Sequence, residues 1–262
     1  MSIQELFGLK GKVALVTGGG RGIGKFIAAG LAEAGADLVL ASRKMKNLEE
    51  AAREIGESFG TSVFPLSCDL GKEEDIDGLF DAAVNRFGRI DILVNNAGAT
   101  WGAPTLDFPR ERWDRLFQVN VRGVWFLTQK AARLMKEKGG GSIINISSVM
   151  AFRGSEESIH PAVPYNSTKA AINALTMNLA VKLAPHGIRV NAIAPGYFKT
   201  DMMAYIDTPG FEESKRTMLR QIPLGRVGEK NDMKGVAVFL ASDAARYVTG
   251  HVLVVDGGFL SK

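Results

Sequence analysis

The sequence predicts an α/β fold with a doubly wound, mostly parallel sheet of seven strands in a single domain. Short β-rich segments alternate with helical patterns along all 262 residues, and this alternation is typical of βαβ units. The first segment, Val13 to Val16, is apolar at four successive positions, which indicates that helices cover both faces of the sheet. A chain of this length can form one domain around one sizeable core.

The predicted strands fall at seven places along the chain. They cover Val13 to Thr17, Asp37 to Ala41, Ser62 to Pro65, Ile90 to Asn95, Ser142 to Ser147, Arg189 to Ala194 and Val252 to Val255. Between the first two, Ile23, Ile27 and Leu31 recur at helical spacing, and Gly35 follows where a left-handed residue would end the helix. These elements make one βαβ unit.

Two segments interrupt the alternation. Met150 to Pro164 carries Gly154, His160 and two prolines and is predicted to be a loop. The segment 201–225 follows a strand end and is rich in apolar residues. We predict that it is a mobile lid over a substrate.

Charge and cysteine content exclude several classes of protein. The net charge of +4 is scattered, so no basic face suggests nucleic-acid binding. Cys68 is the single cysteine, and no Cys/His cluster has zinc-ligand spacing, so we expect no metal site. The first 12 residues lack the apolar core of a signal peptide, and no apolar run approaches the ~20 residues of a membrane span. A cytoplasmic location is expected.

A glycine-rich turn follows the first strand and opens the first long helix. It reads Thr17-Gly18-Gly19-Gly20-Arg21-Gly22-Ile23-Gly24. Glycines allow a close backbone approach to a phosphate, and the helix N-terminus supplies unpaired N–H donors. Because the turn lies between a strand and a helix of a βαβ unit, it predicts a dinucleotide pyrophosphate site.

From these motifs and their order, the chain is identified as similar to the short-chain dehydrogenase/reductase family over essentially its whole length. The shared motifs are Thr17 to Gly24, Asp69-Leu70, Asn95-Asn96-Ala97-Gly98, Asn120, Ser147-Ser148, Tyr165-x-x-x-Lys169, Pro195-Gly196 and Val255-Asp256-Gly257-Gly258. The resemblance implies a Rossmann-type domain that binds a nicotinamide cofactor, and a symmetric homotetramer.

The resemblance also implies a set of cofactor contacts. The turn residues Gly18, Gly20, Gly22, Ile23 and Gly24 are expected at the pyrophosphate. Asp69 and Leu70 are expected near the adenine, and Asn96, Ala97 and Gly98 beside a ribose. Pro195, Gly196, Phe198 and Thr200 are expected around the nicotinamide half.

Basic residues at the end of the second strand favour NADP(H) over NAD(H). An acidic residue there would bind the free ribose of NAD and repel a 2′-phosphate. This chain has Ser42 followed by Arg43. In the family, a basic residue at the position of Arg43, and another at that of Arg21, accompany NADP(H).

Tyr165 and Lys169 are the predicted catalytic pair. They lie four residues apart at the start of a predicted helix, so both side chains occupy one helical face. A phenol with a pKa of about 10 is a poor base near neutrality, and a nearby positive charge stabilises the phenolate. Tyr165 is therefore predicted to be the proton donor and acceptor, with Lys169 lowering its pKa.

By resemblance, Ser148 polarises the substrate oxygen, Lys169 also binds the nicotinamide ribose, and Asn120 anchors a water that relays protons. Ser148 and Tyr165 lie 17 positions apart, more than in many family members, so the loop between them carries an insertion. Ser147 is the alternative active serine; Ser148 is chosen because it precedes Val149-Met150-Ala151.

Two further side chains have open roles. His160 in the loop is expected to be an exposed histidine, with substrate contact as the alternative. Trp101 either lines the substrate pocket or packs against other residues of the protein.

The substrate is expected to be a small carbonyl or alcohol compound. The sequence does not separate a 3-oxoacyl thioester reductase from a sugar, polyol or cyclic-alcohol dehydrogenase. The rival function is a non-catalytic NADP-sensing module on the same scaffold.

Overall fold

The seven strands form one parallel sheet in the computed structural model of the protein. They are β1 (Val13–Thr17), β2 (Asp37–Ser42), β3 (Val63–Ser67), β4 (Ile92–Asn95), β5 (Gly141–Ile146), β6 (Ile188–Pro195) and β7 (Val252–Val255). Their order is β3-β2-β1-β4-β5-β6-β7, and all neighbours are parallel. The predicted fold class is confirmed, and the strand ends lie within two residues of their predicted positions.

The structure describes residues 1–158, 160–200, 208, 210 and 212–262, with the backbone only at residue 214. The helices within these residues are α1 (Ile3–Phe7), α2 (Gly22–Glu33), α3 (Met45–Phe59), α4 (Glu73–Phe87), α5 (Arg110–Phe117), α6 (Val124–Glu137), α7 (Val163–Leu183), α8 (Glu212–Arg220) and α9 (Lys230–Ala241). In the predicted lid at 201–225, residues 201–207, 209 and 211 lie outside the described part. Its described part contains α8.

Helices cover both faces of the sheet, as the apolar strands predict. In β1, Ala14 and Val16 belong to a core shared with α2, α3 and α9. Val13 and Leu15 belong to a second core shared with α4, α6 and α7. Since successive strand residues point to opposite faces, each central strand contributes to both cores.

The predicted site residues lie at or after the carboxyl ends of the strands. From β1 the chain moves first toward β3, and from β4 onward it moves toward β7. The carboxyl ends of β1 and β4 therefore flank a crevice, which is where open α/β sheets bind their ligands. The turn after β1 and the loop after β4 form its walls.

Candidate active site

The turn after β1 is packed too tightly for side chains at two of its glycines. Gly18 has φ of +67°, and a Cβ atom there would lie 2.5 Å from Nδ2 of Asn96. A Cβ atom at Gly24 would lie 2.2 Å from the carbonyl oxygen of Gly18. Arg21, the N-cap residue of α2, makes no side-chain cap hydrogen bond. The first-turn N–H groups of Gly22, Ile23 and Gly24 thus have no side-chain cap and suit a phosphate.

Hydrogen bonds of Asn96 connect the end of β4 to this turn. Its Nδ2 donates to the carbonyl oxygens of Thr17 and Gly18 at 2.9 and 3.2 Å. Thr17 Oγ1 accepts from the N–H groups of Asn96 and Ala97, each at 3.0 Å. A Cβ atom at Gly98 would lie 3.4 Å from Asn120 Oδ1 and 3.7 Å from Lys169 Nζ. The loop after β4 therefore joins the turn to the catalytic candidates.

Basic side chains surround the end of β2. Arg21 and Arg43 are exposed, while Ser42 is half-buried and Gly20 packs against Asn47. Neither arginine forms an ion pair with any residue that the structure describes. Within the described part of the chain, neither guanidinium is neutralised by a carboxylate, and both suit an anion.

Asp69 follows β3 and is held by groups that the sequence did not indicate. Its carboxylate accepts from the Gly71 N–H at 2.9 Å and from Arg115 Nη2 at 2.6 and 2.7 Å. Burial raises the pKa of the Asp69 carboxyl. The Gly71 hydrogen bond, Arg115 and the charge of Arg43 outweigh burial, so the pKa lies below its usual value.

Asn120 lies in a π-helical segment, Gln118–Gly123, that joins α5 to α6. Its side chain is buried. The oxygen Oδ1 accepts a hydrogen bond from the Ala99 N–H at 2.7 Å. The nitrogen Nδ2 donates to the Ala99 carbonyl oxygen at 2.9 Å and to Thr168 Oγ1 at 3.0 Å. The side chain thus ties the loop after β4 to α7. Both Nδ2 hydrogens are therefore used, and the second lone pair of Oδ1 is what remains to accept a hydrogen bond from the predicted water.

Tyr165 and Lys169 lie in the first two turns of α7 and meet Ser148 at the end of β5. The Ser148 hydroxyl lies close enough to Tyr165 to lower the pKa of its phenol. Lys169 Nζ lies 5.6 Å from the centroid of the Tyr165 ring and donates to the Ile146 carbonyl oxygen at 2.7 Å. Serine, tyrosine and lysine therefore converge as expected.

Burial perturbs the ionisation of both residues of the pair. Desolvation lowers the pKa of the Lys169 amine to about 8. Desolvation raises the pKa of the Tyr165 phenol, and the Ser148 hydroxyl opposes this rise only in part. The pKa of Tyr165 is therefore raised, whereas Lys169 was expected to lower it. The free-energy cost of burying the phenolate exceeds the stabilisation of its charge by neighbouring groups.

The structure distinguishes the two adjacent serines. Ser147 Oγ donates to the Lys169 carbonyl oxygen at 3.2 Å and is buried against α7. Ser148 Oγ accepts from the Met150 N–H at 3.2 Å and faces Tyr165. Ser148 is therefore the serine beside the tyrosine, as its sequence context predicts.

The expectation of an exposed His160 is wrong. Its ring is half-buried and meets the Tyr165 ring edge-on, with 5.6 Å between the centroids. Burial lowers the pKa of its imidazole, and the neighbouring Asn166 side chain opposes that effect. The loop therefore folds back onto Tyr165. Trp101, by contrast, is 43% exposed and is covered by the Arg112 guanidinium at 3.9 Å.

The residues after β6 close the far side of the crevice. Pro195 ends the strand, and Gly196 packs against Asp256. A Cβ atom at Gly22 would lie 3.4 Å from Thr200 Cγ2, so Thr200 reaches the turn after β1. Phe198 is buried in the core that contains α2 and α9. Its ring therefore packs within the protein, and only its backbone lies at the crevice wall.

Other reactive groups are absent from the described part of the crevice. Burial, followed by the charges of Asp75 and Asp69, raises the pKa of the Cys68 thiol to about 12, so it stays protonated. No three His, Cys, Asp or Glu side chains among the described residues converge as metal ligands. None of the described helices is both long enough and apolar enough to span a membrane.

Known proteins are similar to this chain in sequence and structure over nearly their whole length. Residues 18–260 match the sequence model of a family described as enoyl-(acyl carrier protein) reductase. A 2-dehydro-3-deoxy-D-gluconate 5-dehydrogenase of Bacillus subtilis is 43% identical over 261 residues, which are 99% of each chain. A short-chain type dehydrogenase/reductase from Mycobacterium marinum superposes with a TM-score of 0.92 at 37% identity, covering 100% of both chains. A gluconate 5-dehydrogenase from Burkholderia cenocepacia, solved with NADP and tartrate, superposes with a TM-score of 0.90 at 37% identity, covering 100% of both chains.

Proposed function

Because the chain belongs to the short-chain dehydrogenase/reductase family, we propose that it interconverts a ketone and a secondary alcohol with NADP(H) as cofactor. The observation that carries this proposal is the convergence of Ser148, Tyr165 and Lys169 beside Gly98. These groups lie at the crevice between the two halves of the sheet, next to a phosphate-binding turn. A proton-transfer site thus adjoins a cofactor site.

In this proposal Tyr165 is the general acid in reduction and the general base in oxidation. A bound nicotinamide supplies or accepts the hydride. Ser148 hydrogen-bonds the substrate oxygen that Tyr165 protonates. Lys169, whose pKa is about 8, carries its charge near neutral pH and favours the phenolate. One of its three N–H donors is used by Ile146, which leaves two for a ribose.

The described residues suit the cofactor along the whole crevice. The uncapped start of α2 suits the pyrophosphate, and Arg21 and Arg43 suit a 2′-phosphate. Asp69 and Leu70 would meet the adenine, Asn96 to Gly98 a ribose, and Pro195, Gly196 and Thr200 the nicotinamide half. Asn120 would position the loop after β4 through Ala99. The contribution of Phe198 would come from its backbone alone.

We also propose that the protein is a cytoplasmic homotetramer and that segment 201–225 covers the bound substrate. Support for assembly comes from the exposed apolar side chains of α7, Met177 and Val181, which are 52% and 77% exposed. Closed symmetric assemblies commonly bury such surfaces. Sedimentation as a tetramer would support this, and a monomer at micromolar concentration would contradict it.

The function is tested by following NADPH oxidation with a panel of oxo acids, neutral ketones and 3-oxoacyl thioesters. We expect turnover of at least one compound, and loss of that turnover in Tyr165→Phe. The alternative, a non-catalytic NADP-sensing module, predicts tight NADPH binding without turnover of any compound. Turnover that persists in Tyr165→Phe would overturn the assigned role of Tyr165.

A further inference from the structure

We infer that Arg153 binds the carboxylate of an anionic substrate, so that the enzyme acts on hydroxy or oxo acids rather than neutral ketones. This inference rests on the proposed function and extends it to the substrate class. The site is a cavity of about 400 Å³ lined by Met150, Arg153, Gly154, Ser155, Glu156, Tyr197, Gln221 and Phe259. Its volume lies in the lower part of the range for small-molecule sites.

The cavity adjoins the proposed catalytic groups. Met150 follows Ser148 by two residues, and its N–H donates to Ser148 Oγ. Tyr165 packs against the cluster of Met150, Ile222 and Phe259 that forms the apolar wall. A substrate whose oxygen contacts Ser148 and Tyr165 can therefore extend into this cavity.

The guanidinium of Arg153 is oriented but has no anionic partner among the described residues. Its Cζ lies 4.7 Å from the centroid of the Phe259 ring, a cation–π contact that restricts the side chain. Within the described part of the chain, the side chain makes one hydrogen bond, from Nε to the Gly154 carbonyl oxygen at 3.3 Å. No carboxylate among the described residues lies within ion-pair distance of it. Both Nη groups are available for a bidentate contact with a carboxylate.

The backbone at Arg153 is tied to the catalytic helix. Asn166 Nδ2 donates to the Arg153 carbonyl oxygen at 3.4 Å, and Asn166 directly follows Tyr165. The position of the guanidinium is therefore linked to that of the proton donor. Such a link suits a residue that fixes the distance between a substrate carboxylate and the reacting carbon.

The other polar groups of the cavity favour a hydroxylated acid over an acyl chain. Glu156, Ser155 and Gln221 also line it, and they can bond the hydroxyl groups of a polyhydroxy acid. Glu156 is the acidic side chain of this lining; it forms no ion pair with Arg153 and can accept hydrogen bonds from substrate hydroxyls. A long acyl chain would leave these groups facing hydrocarbon, which costs free energy.

Arg153→Gln tests the inference, with Arg86→Gln as the matched control. Arg86 is also an exposed arginine, 5.5 Å from the Phe87 ring, but it lies at the end of α4 away from the crevice. In Arg153→Gln we expect KM for the acids turned over to rise about tenfold to a hundredfold with little change in kcat. KM for neutral ketones and NADPH should stay unchanged, and Arg153→Lys should recover part of the loss.

Calorimetric titration of D-gluconate and of uncharged D-glucitol into the NADP⁺-saturated protein gives a readout that does not require turnover. The inference predicts that wild type binds D-gluconate more tightly than D-glucitol and that Arg153→Gln removes the difference. Equal binding of the two compounds by wild type, or equal KM increases for acids and ketones in Arg153→Gln, would overturn it. Absence of turnover for every compound, with D-gluconate binding intact, would instead count against the proposed oxidoreductase function.

Discussion

Nη2 of Arg115, on α5, donates to both carboxylate oxygens of Asp69, the residue that follows β3 by two positions, at 2.7 and 2.6 Å. Its guanidinium lies across Gly71, where a Cβ atom would be 1.8 Å from Nη1. Gln118 Nε2 donates to the Gly71 carbonyl oxygen at 2.7 Å. The proposed adenine pocket is therefore built on the same helix that leads to Asn120.

Arg115→Gln should destabilise the protein by about 1 kcal/mol at pH 7, because the ion pair makes charge-assisted hydrogen bonds to both carboxylate oxygens but is partly exposed. The pKa of Asp69 is lowered in the folded state, so its stabilising contribution exists above the unfolded pKa and is lost as the pH falls. The difference between wild type and variant should shrink below about pH 4. Denaturant unfolding of wild type and Arg115→Gln at several pH values measures this difference in the free energy of unfolding. Arg122→Gln, which removes a more exposed ion pair with Glu73, should lower the free energy of unfolding by less. An equal decrease in the two variants would contradict the prediction.

Tyr165→Phe should lower kcat at least a hundredfold, since it removes the proposed proton donor but keeps the ring. The affinity for NADPH, measured by fluorescence titration, should stay nearly unchanged. Tyr247→Phe is the control, because Tyr247 is fully exposed and should keep full activity. A Tyr165→Phe variant with more than a tenth of wild-type kcat would show that another group transfers the proton.

Lys169→Met should alter how stability depends on pH. The pKa of Lys169 falls from 10.5 to about 8 on folding, so the unfolded chain binds more protons between these values. Folding therefore becomes more favourable in the wild type as the pH rises through this range. Relative to Lys169→Met, the free energy of unfolding of the wild type should increase by about 2 kcal/mol from pH 7 to 9.5. The free energy of unfolding of both proteins is measured in urea. If the difference between wild type and Lys169→Met stays constant over this pH range, the pKa of Lys169 is not lowered in the folded state.

Arg43→Ala should weaken NADPH binding about tenfold and leave NADH binding unchanged, because a guanidinium that contacts only the 2′-phosphate has no partner in NADH. Wild type should bind NADPH at least tenfold more tightly than NADH. Arg53→Ala, an exposed arginine within α3, provides the control. Equal losses for both cofactors would assign Arg43 to another role, and equal wild-type affinities would remove the NADP preference.

The sequence predicted what depends on local pattern and missed what depends on contacts between distant segments. Strand periodicity located all seven strands, and the four-residue spacing placed Tyr165 and Lys169 on one face of α7. The Arg115 contact joins residues 46 positions apart, and no local pattern marks it. His160 was misplaced for a related reason: a polar loop predicts exposure, whereas this loop folds onto Tyr165. The pKa of Tyr165 depends on burial, which residue spacing alone does not determine.

The π-helical segment that contains Asn120 makes chain length, as well as residue identity, a constraint on this part of the site. Upstream of it, α5 is oriented by the contact of Arg115 with Asp69. Downstream, Leu127 and Ala131 of α6 are buried in the core. Each residue of an α-helix turns the chain by about 100°. Removing one residue from the π-helical segment would therefore rotate either α5 or α6 about its axis, away from its present contacts. A one-residue deletion here would therefore separate the proposed adenine pocket from α7 even if every side-chain contact of the segment were otherwise kept.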